Sequence, residues 1–97
     1  MYLTTTGRKS GSPREIEIWF TRHSGCFYVI AEHRHSHWVQ NIAADAKVTV
    51  RVGEEKFAGK ARVVDQTTEP EMNAAVQELS RKKYGWGEGL VVEIRRE

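Results

Sequence analysis

Ninety-seven residues suffice for a single domain over 1–97, but one whose core is modest: such a chain buries about two-thirds of its unfolded surface, so a partner subunit would help. Fifteen Lys and Arg against thirteen Asp and Glu leave a net charge of +2, too mild to argue for nucleic acid, and no apolar run approaches the ~18 residues of a membrane span. A lone cysteine, Cys26, and an N-terminus without signal-peptide features make a cytoplasmic protein the expectation.

Tyr2–Thr6 reads as a short strand ended by Gly7. Glu15–Thr21 alternates Ile16, Ile18 and Phe20 with Glu15, Glu17 and Trp19, the period-2 pattern of a half-buried strand. Ser24-Gly25 then turns the chain into Cys26–Ala31, which is apolar on both faces and so reads as a central strand, hairpinned to the one before. His35–Asp45 changes period: Trp38 with Ile42 and Val39 with Ala43 are i,i+4 pairs, which predicts a helix. Lys47–Val52 returns to period 2 with Val48, Val50 and Val52 inward, and Gly53-Glu54 turns it into Glu55–Val64. Thr68, with Glu71 three residues on, predicts a capping box for a second helix whose buried stripe is Met72, Ala75, Val76 and Leu79. Arg81, Lys82 and Lys83 suit its negative C-terminal end, and Gly85 follows. Leu90–Arg95 is a last strand with Leu90, Val92 and Ile94 on one face. The order β-β-β-α-β-β-α-β implies a mainly β (β+α) fold: a six-stranded antiparallel sheet closing into a small barrel, with two helices.

Four groups of residues bear on chemistry. In the loop Thr6–Arg14, Gly7 and Gly11 free the backbone, Arg8, Lys9 and Arg14 bring three cations, and Ser10 and Ser12 add hydroxyls. By composition it reads equally as an anion cradle or as a solvated basic turn, and the Gly-x4-Gly-Lys-Ser/Thr spacing of a Walker loop is absent. The tract His33-Arg34-His35-Ser36-His37, with His23 upstream, offers imidazoles but no tight ligand spacing beyond Glu32 beside His33. It reads as an exposed crossover in preference to a metal site, and no metal ligand is assigned. Of the aromatics, Trp19 on a polar strand face suits a ligand or subunit contact, while Trp38 on an apolar helix face suits the core. The basic runs Arg81-Lys82-Lys83 and Arg95-Arg96 are explained by helix-end charge and a solvated tail, so no nucleic-acid partner is inferred.

Leu3-Thr4-Thr5-Thr6-Gly7-Arg8-Lys9-Ser10-Gly11-x-Pro13-Arg14 closely resembles the signature of the deazaflavin-dependent nitroreductase/quinone reductase family. The likeness continues at Val29-Ile30-Ala31, Trp38-x-x-Asn41-Ile42-x-Ala44-Asp45, Val48-Thr49-Val50, Ala61-Arg62-Val63-Val64 and Tyr84-x-Trp86. The resemblance implies a split β-barrel of the flavin-binding superfamily, dimeric, with coenzyme F420 as cofactor and FMN as the alternative. It implies that Arg8, Lys9, Ser10, Gly11 and Arg14 hold a phosphate-bearing tail, and that Ala31, Trp38 and Asn41 lie near the ring system or tail. Tyr84 and Trp86 would border the substrate pocket, with Tyr84 as a candidate proton donor. The implied reaction is hydride transfer to a quinone, nitro-aromatic or similar small acceptor; a non-catalytic flavin- or haem-binding carrier is the competing expectation. Where the family has a Gly-rich stretch after the third strand, this chain reads Glu32-His33-Arg34-His35-Ser36-His37.

Overall fold

In the computed structural model, which describes residues 1–97, seven strands and two helices follow one another: β1 (Tyr2–Thr6), β2 (Pro13–Glu17), β3 (Thr21–His23), β4 (Cys26–Ala31), α1 (His37–Ala44), β5 (Lys47–Val52), β6 (Glu55–Val63), α2 (Pro70–Tyr84) and β7 (Leu90–Arg96). All strands join one antiparallel sheet in the order β2-β1-β5-β6-β7-β4-β3. Neither helix is long and apolar enough to cross a membrane.

The sheet has to curl. Its outer strands β2 and β3 are consecutive in the chain, joined only through Ile18, Trp19 and Phe20. Four Cα–Cα steps of 3.8 Å reach at most ~15 Å, whereas a flat sheet of this many strands would hold its edges ~29 Å apart. The two edges therefore come together as a seam, and the fold is an antiparallel split barrel with two helices.

The expected single strand Glu15–Thr21 is thus two strands, which makes seven where six were expected. Its first part pairs with β1 (Leu3 opposite Ile16) and its last with β4 (Thr21 opposite Tyr28). The alternation survives the break: Ile16, Ile18 and Phe20 all pack against the barrel core, while Trp19 points out. A pattern with unbroken period cannot reveal that the strand changes partners midway.

The expected central strand β4 lies between β7 and β3 and serves two cores. Val29 joins Leu3, Val48, Val50, Val92 and Ile94 inside the barrel, capped by Ile42 of α1. Tyr28 and Ile30 face the other way, onto Val76 of α2, with Val64 and Val91. Helix α1 starts at His37, two residues later than expected, after a turn in which Ser36 bonds the His33 carbonyl through both its N–H and its hydroxyl (3.2 and 2.8 Å). The capping box is absent. Helix α2 begins at Pro70, with Glu69 as the preceding residue and no side-chain cap, because the Glu69 carboxylate is taken by Arg62. At its far end Gly85 adopts φ 77°, the left-handed conformation that favours glycine, and its N–H closes on the Arg81 carbonyl (2.8 Å).

Candidate functional site

The loop after β1 is held by its own backbone and by α1. The Gly7 N–H donates to the Ser12 carbonyl and the Gly11 N–H to the Gly7 carbonyl, both at 2.8 Å. A Cβ on Gly7 would stand 2.9 Å from Ser10 Oγ and 3.1 Å from the Ser12 carbonyl, so a larger residue would have to turn the serine aside and shift the loop by a few tenths of an ångström. Asn41, 3% exposed, fastens the loop from below. Its Oδ1 accepts from the Arg8 N–H (3.2 Å) and from Arg8 Nη1 (2.9 Å), while Nδ2 donates to Thr5 Oγ1 (3.1 Å). Arg8 is therefore positioned before any ligand arrives. Lys9 and Arg14 carry no ion pair.

These cations open onto a pocket of about 630 Å³ whose lining includes Arg8, Lys9, Ser10, Arg14, Trp38 and Asn41. Six of the eight residues expected to contact a cofactor thus surround one space. Gly11 does not line it and contributes the loop closure instead. Ala31 lines the adjoining compartment of about 580 Å³, which shares Ile16 and Trp38 with the first. That middle compartment is apolar along Ile18, Trp19, Ile30 and Trp86, with Glu32 and His33 at its rim. Arg34 lies on a different pocket, with Asp65 and Asn73, so within this groove His33 is the basic neighbour of Glu32. A third compartment of about 230 Å³ shares Trp19, Ile30 and Trp86 with the second and adds Tyr84 and Tyr28. The three make one groove along the seam, cationic at one end and aromatic at the other.

Tyr84 organises the aromatic end. Its ring stacks on Trp19 (centroids 4.6 Å apart, planes at 7°). Its hydroxyl donates to the Phe20 carbonyl (2.9 Å) and accepts from the Phe20 N–H (3.2 Å). Lys83 Nζ reaches the same carbonyl at 2.9 Å. Trp19 and Phe20 are thereby tied to the end of α2, and the hydroxyl considered as a proton donor is already engaged with backbone. Thr21 Oγ1, in a residue lining the same compartment, is the one buried side-chain polar atom without a partner.

Two features escaped the sequence reading. The first is the pairing of Trp19 with Tyr84, 65 positions apart in the chain and invisible to local patterns. The second is Glu93, which the alternation of Leu90, Val92 and Ile94 puts on the opposite, solvent-facing side. It is 1% exposed, under α2. It accepts from Arg95 Nε (2.7 Å), Tyr28 Oη (2.8 Å) and Arg62 Nε (3.1 Å), and Arg62 continues to Glu69. Burial opposes the charged form of Glu93, but the hydrogen bonds from Arg62, Arg95 and Tyr28 outweigh it and hold the carboxyl below its usual range. Burial and the bond to Glu93 push the Tyr28 phenol well above its usual value. A carboxylate inside the run Val91-Val92-Glu93-Ile94 was the available signal. The histidine tract forms no cluster: no three His, Cys, Asp or Glu side chains gather as a metal site would require.

The chain resembles solved structures across its whole length. It superimposes on an F420-H2 dependent reductase (FDR-A) with a TM-score of 0.75 at 22% identity, covering 99% of this chain and 91% of that one. HutZ, the haem storage protein of Vibrio cholerae, matches with a TM-score of 0.76 at 15% identity, over 99% and 80% of the two chains. A protein solved as a domain-swapped dimer matches with a TM-score of 0.76 at 23% identity, over 99% and 78%. These likenesses establish the fold. The sequence model of the F420H(2)-dependent quinone reductases matches residues 1–88, from the first strand past the aromatic segment at Tyr84 and Trp86, and the chain therefore belongs to that family, whose cofactor is coenzyme F420.

Proposed function

We propose that the protein is a reductase that passes a hydride from reduced coenzyme F420 to a quinone, nitro-aromatic or similar small acceptor, as one domain over residues 1–97 working as a homodimer. The observation that carries this reading is the seam groove, running from three cations to an aromatic wall in a chain of this family. The donor set fits an anionic tail: Arg8 is pre-positioned by Asn41, Lys9 and Arg14 are in no ion pair and outnumber the one carboxylate on the wall, Glu15, and the loop backbone closes at Gly7. In this reading Arg8, Lys9, Ser10 and Arg14 hold the tail, with Gly11 shaping the loop. Trp38, Asn41 and Ala31 border the ring system. The bound cofactor supplies the hydride, and the protein supplies orientation and electrostatics. Trp19, Trp86 and Tyr84 offer a planar acceptor an apolar, partly water-excluded wall. Dimerisation is supported by the small size of the chain and by the domain-swapped relative.

Fluorescence titration with coenzyme F420, and in parallel with FMN, tests the reading. Saturable binding of coenzyme F420 is expected, and Arg8→Ala combined with Lys9→Ala should weaken it at least tenfold, the loss of about one charge-assisted hydrogen bond. Menadione or a nitro-aromatic should then be reduced by the wild type. If neither cofactor saturates, the reading is wrong. Tight binding without turnover points to the carrier that the likeness to a haem storage protein brings to mind, and saturation by FMN alone replaces the cofactor. Light scattering on a sizing column should give twice the chain mass.

A further inference from the structure

His37 is the first residue of α1, and its imidazole is exposed on the wall of the basic pocket. Arg8 Nη2 stands 3.4 Å from His37 Nδ1, and Arg8 Nη1 is 3.5 Å from the His37 carbonyl. A guanidinium only donates. The contact with Nδ1 is therefore attractive only while that nitrogen keeps its lone pair, with the ring proton on Nε2. Histidine is the side chain that ordinarily changes charge between pH 5 and 8. A second proton on the ring turns the contact into donor against donor, with two cations side by side.

Arg8 has little room to retreat, because Asn41 Oδ1 holds its Nη1 at 2.9 Å. The other charged groups on the pocket wall are Lys9 on the loop and Arg14 and Glu15 on β2; three of these four groups, counting Arg8, are cations. His33 and His35 stand in the turn before α1. His37 is in no ion pair, Glu15 is the one carboxylate on the wall of this pocket, and Glu32 lines the adjoining compartment. An anion in the pocket would neutralise a protonated His37, accepting from Arg8 and from the imidazolium together.

We propose that His37 is a further ligand for the anionic group in this pocket, a phosphoryl or carboxylate group, and that its engagement takes up a proton. The assignment of that group to a cofactor tail rests on the function proposed above; the His37–Arg8 geometry does not. Binding of the anion and of the proton are then reciprocally coupled, so each favours the other by the same factor.

The test follows sulfate, whose charge is constant over the range, by 1H–15N NMR at pH 5.5 and pH 8.0 and fixed ionic strength, reading the Gly7–Arg14 amides. The wild type should bind sulfate about fivefold more tightly at pH 5.5, the weight of one added charge at an exposed site. His37→Gln should show the weaker affinity at both pH values, and His37→Lys, a permanent cation, the tighter affinity at both. The amide spectra confirm that each variant is folded. Equal wild-type affinity at the two pH values, or an unchanged pH dependence in His37→Gln, overturns the proposal. Coenzyme F420 titrated in parallel separates the two ideas. If the sulfate pattern holds while coenzyme F420 does not bind, the proposed function fails and His37 remains an anion ligand.

Discussion

Replacing Asn41 by alanine removes the one side chain that joins the basic loop, β1 and α1. Three hydrogen bonds disappear with it: to the Arg8 N–H, to Arg8 Nη1 and to Thr5 Oγ1. The charge-assisted bond contributes about 1.5 kcal/mol and each neutral one about 0.5–1 kcal/mol, and Thr5, 1% exposed, is left with a buried hydroxyl. The sum is about 3 kcal/mol, against a total stability of about 5–15 kcal/mol for a domain of this size. Asn41→Ala should therefore remain folded at 25 °C, with its urea midpoint lowered and its m-value unchanged. With Arg8 released, coenzyme F420 affinity should fall at least tenfold. Asn41→Asp separates geometry from charge. Its carboxylate keeps both bonds from Arg8, and the Thr5 hydroxyl can rotate to donate, so stability should stay within about 1 kcal/mol of wild type. The added negative charge beside Arg8 should still cut cofactor affinity about tenfold, and less so at high salt. If Asn41→Ala loses less than about 0.5 kcal/mol and binds the cofactor within twofold of wild type, Asn41 does not position Arg8 and the account of the loop is wrong.

Two further substitutions test the frame of the groove. Glu93 is held below its ordinary value in the folded protein, so its contribution is fully present above the unfolded value of about 4.3 and is lost as pH falls through that value towards the lower folded one. Glu93→Gln should cost about 2 kcal/mol at pH 7 by urea unfolding, and its deficit should shrink on acidification below pH ~4; a deficit that does not change with pH contradicts an ionised Glu93. Tyr84→Phe keeps the stack on Trp19 but frees the Phe20 backbone. It should lower stability by about 1 kcal/mol, speed hydrogen exchange at the Phe20 amide and change kcat by less than about fivefold. A fall in kcat of a hundredfold or more would instead make Tyr84 the proton donor.

What was legible in the sequence was local. Strand alternation at Lys47–Val52, the two-faced strand Cys26–Ala31 and the Gly85 helix end each follow from residues a few positions apart, and each is present in the structure. The capping box at Thr68 is absent because the helix opens at Pro70, one residue later than the box requires, which leaves Glu69 at the cap position with its carboxylate drawn to Arg62 on β6. The burial of Glu93 has the same kind of cause: period 2 says which residues share a face, but α2 determines that both faces of β7 are covered. Within the site, the loop's composition left an anion cradle and a basic turn equally open. The Asn41 bonds to Arg8, made across 33 positions, support the cradle proposed above, since a solvated turn needs no buried amide to aim its arginine.

The position of the groove follows from the way the sheet closes. In the inner strands β1, β5, β6, β7 and β4 both edges of the backbone are paired with neighbours, while β2 and β3 are paired on one side only. Where β2 and β3 part, the Ile18 N–H still reaches the Met1 carbonyl (2.9 Å), but Trp19 and Phe20 are in no strand pair. Such a segment needs substitutes, and Tyr84 and Lys83 provide them at Phe20. Substitution from α2 leaves Trp19 facing outwards at 56% exposure, against the rule that large aromatics are buried, with Ile16, Ile18 and Trp38 lining the cleft beside it. The basic loop enters the same cleft because it joins β1 to β2, the strand that forms one lip of the seam. The unclosed edge of the barrel supplies both a free surface and two chemically distinct ends, the arrangement that the proposed long, charged-tailed ligand requires.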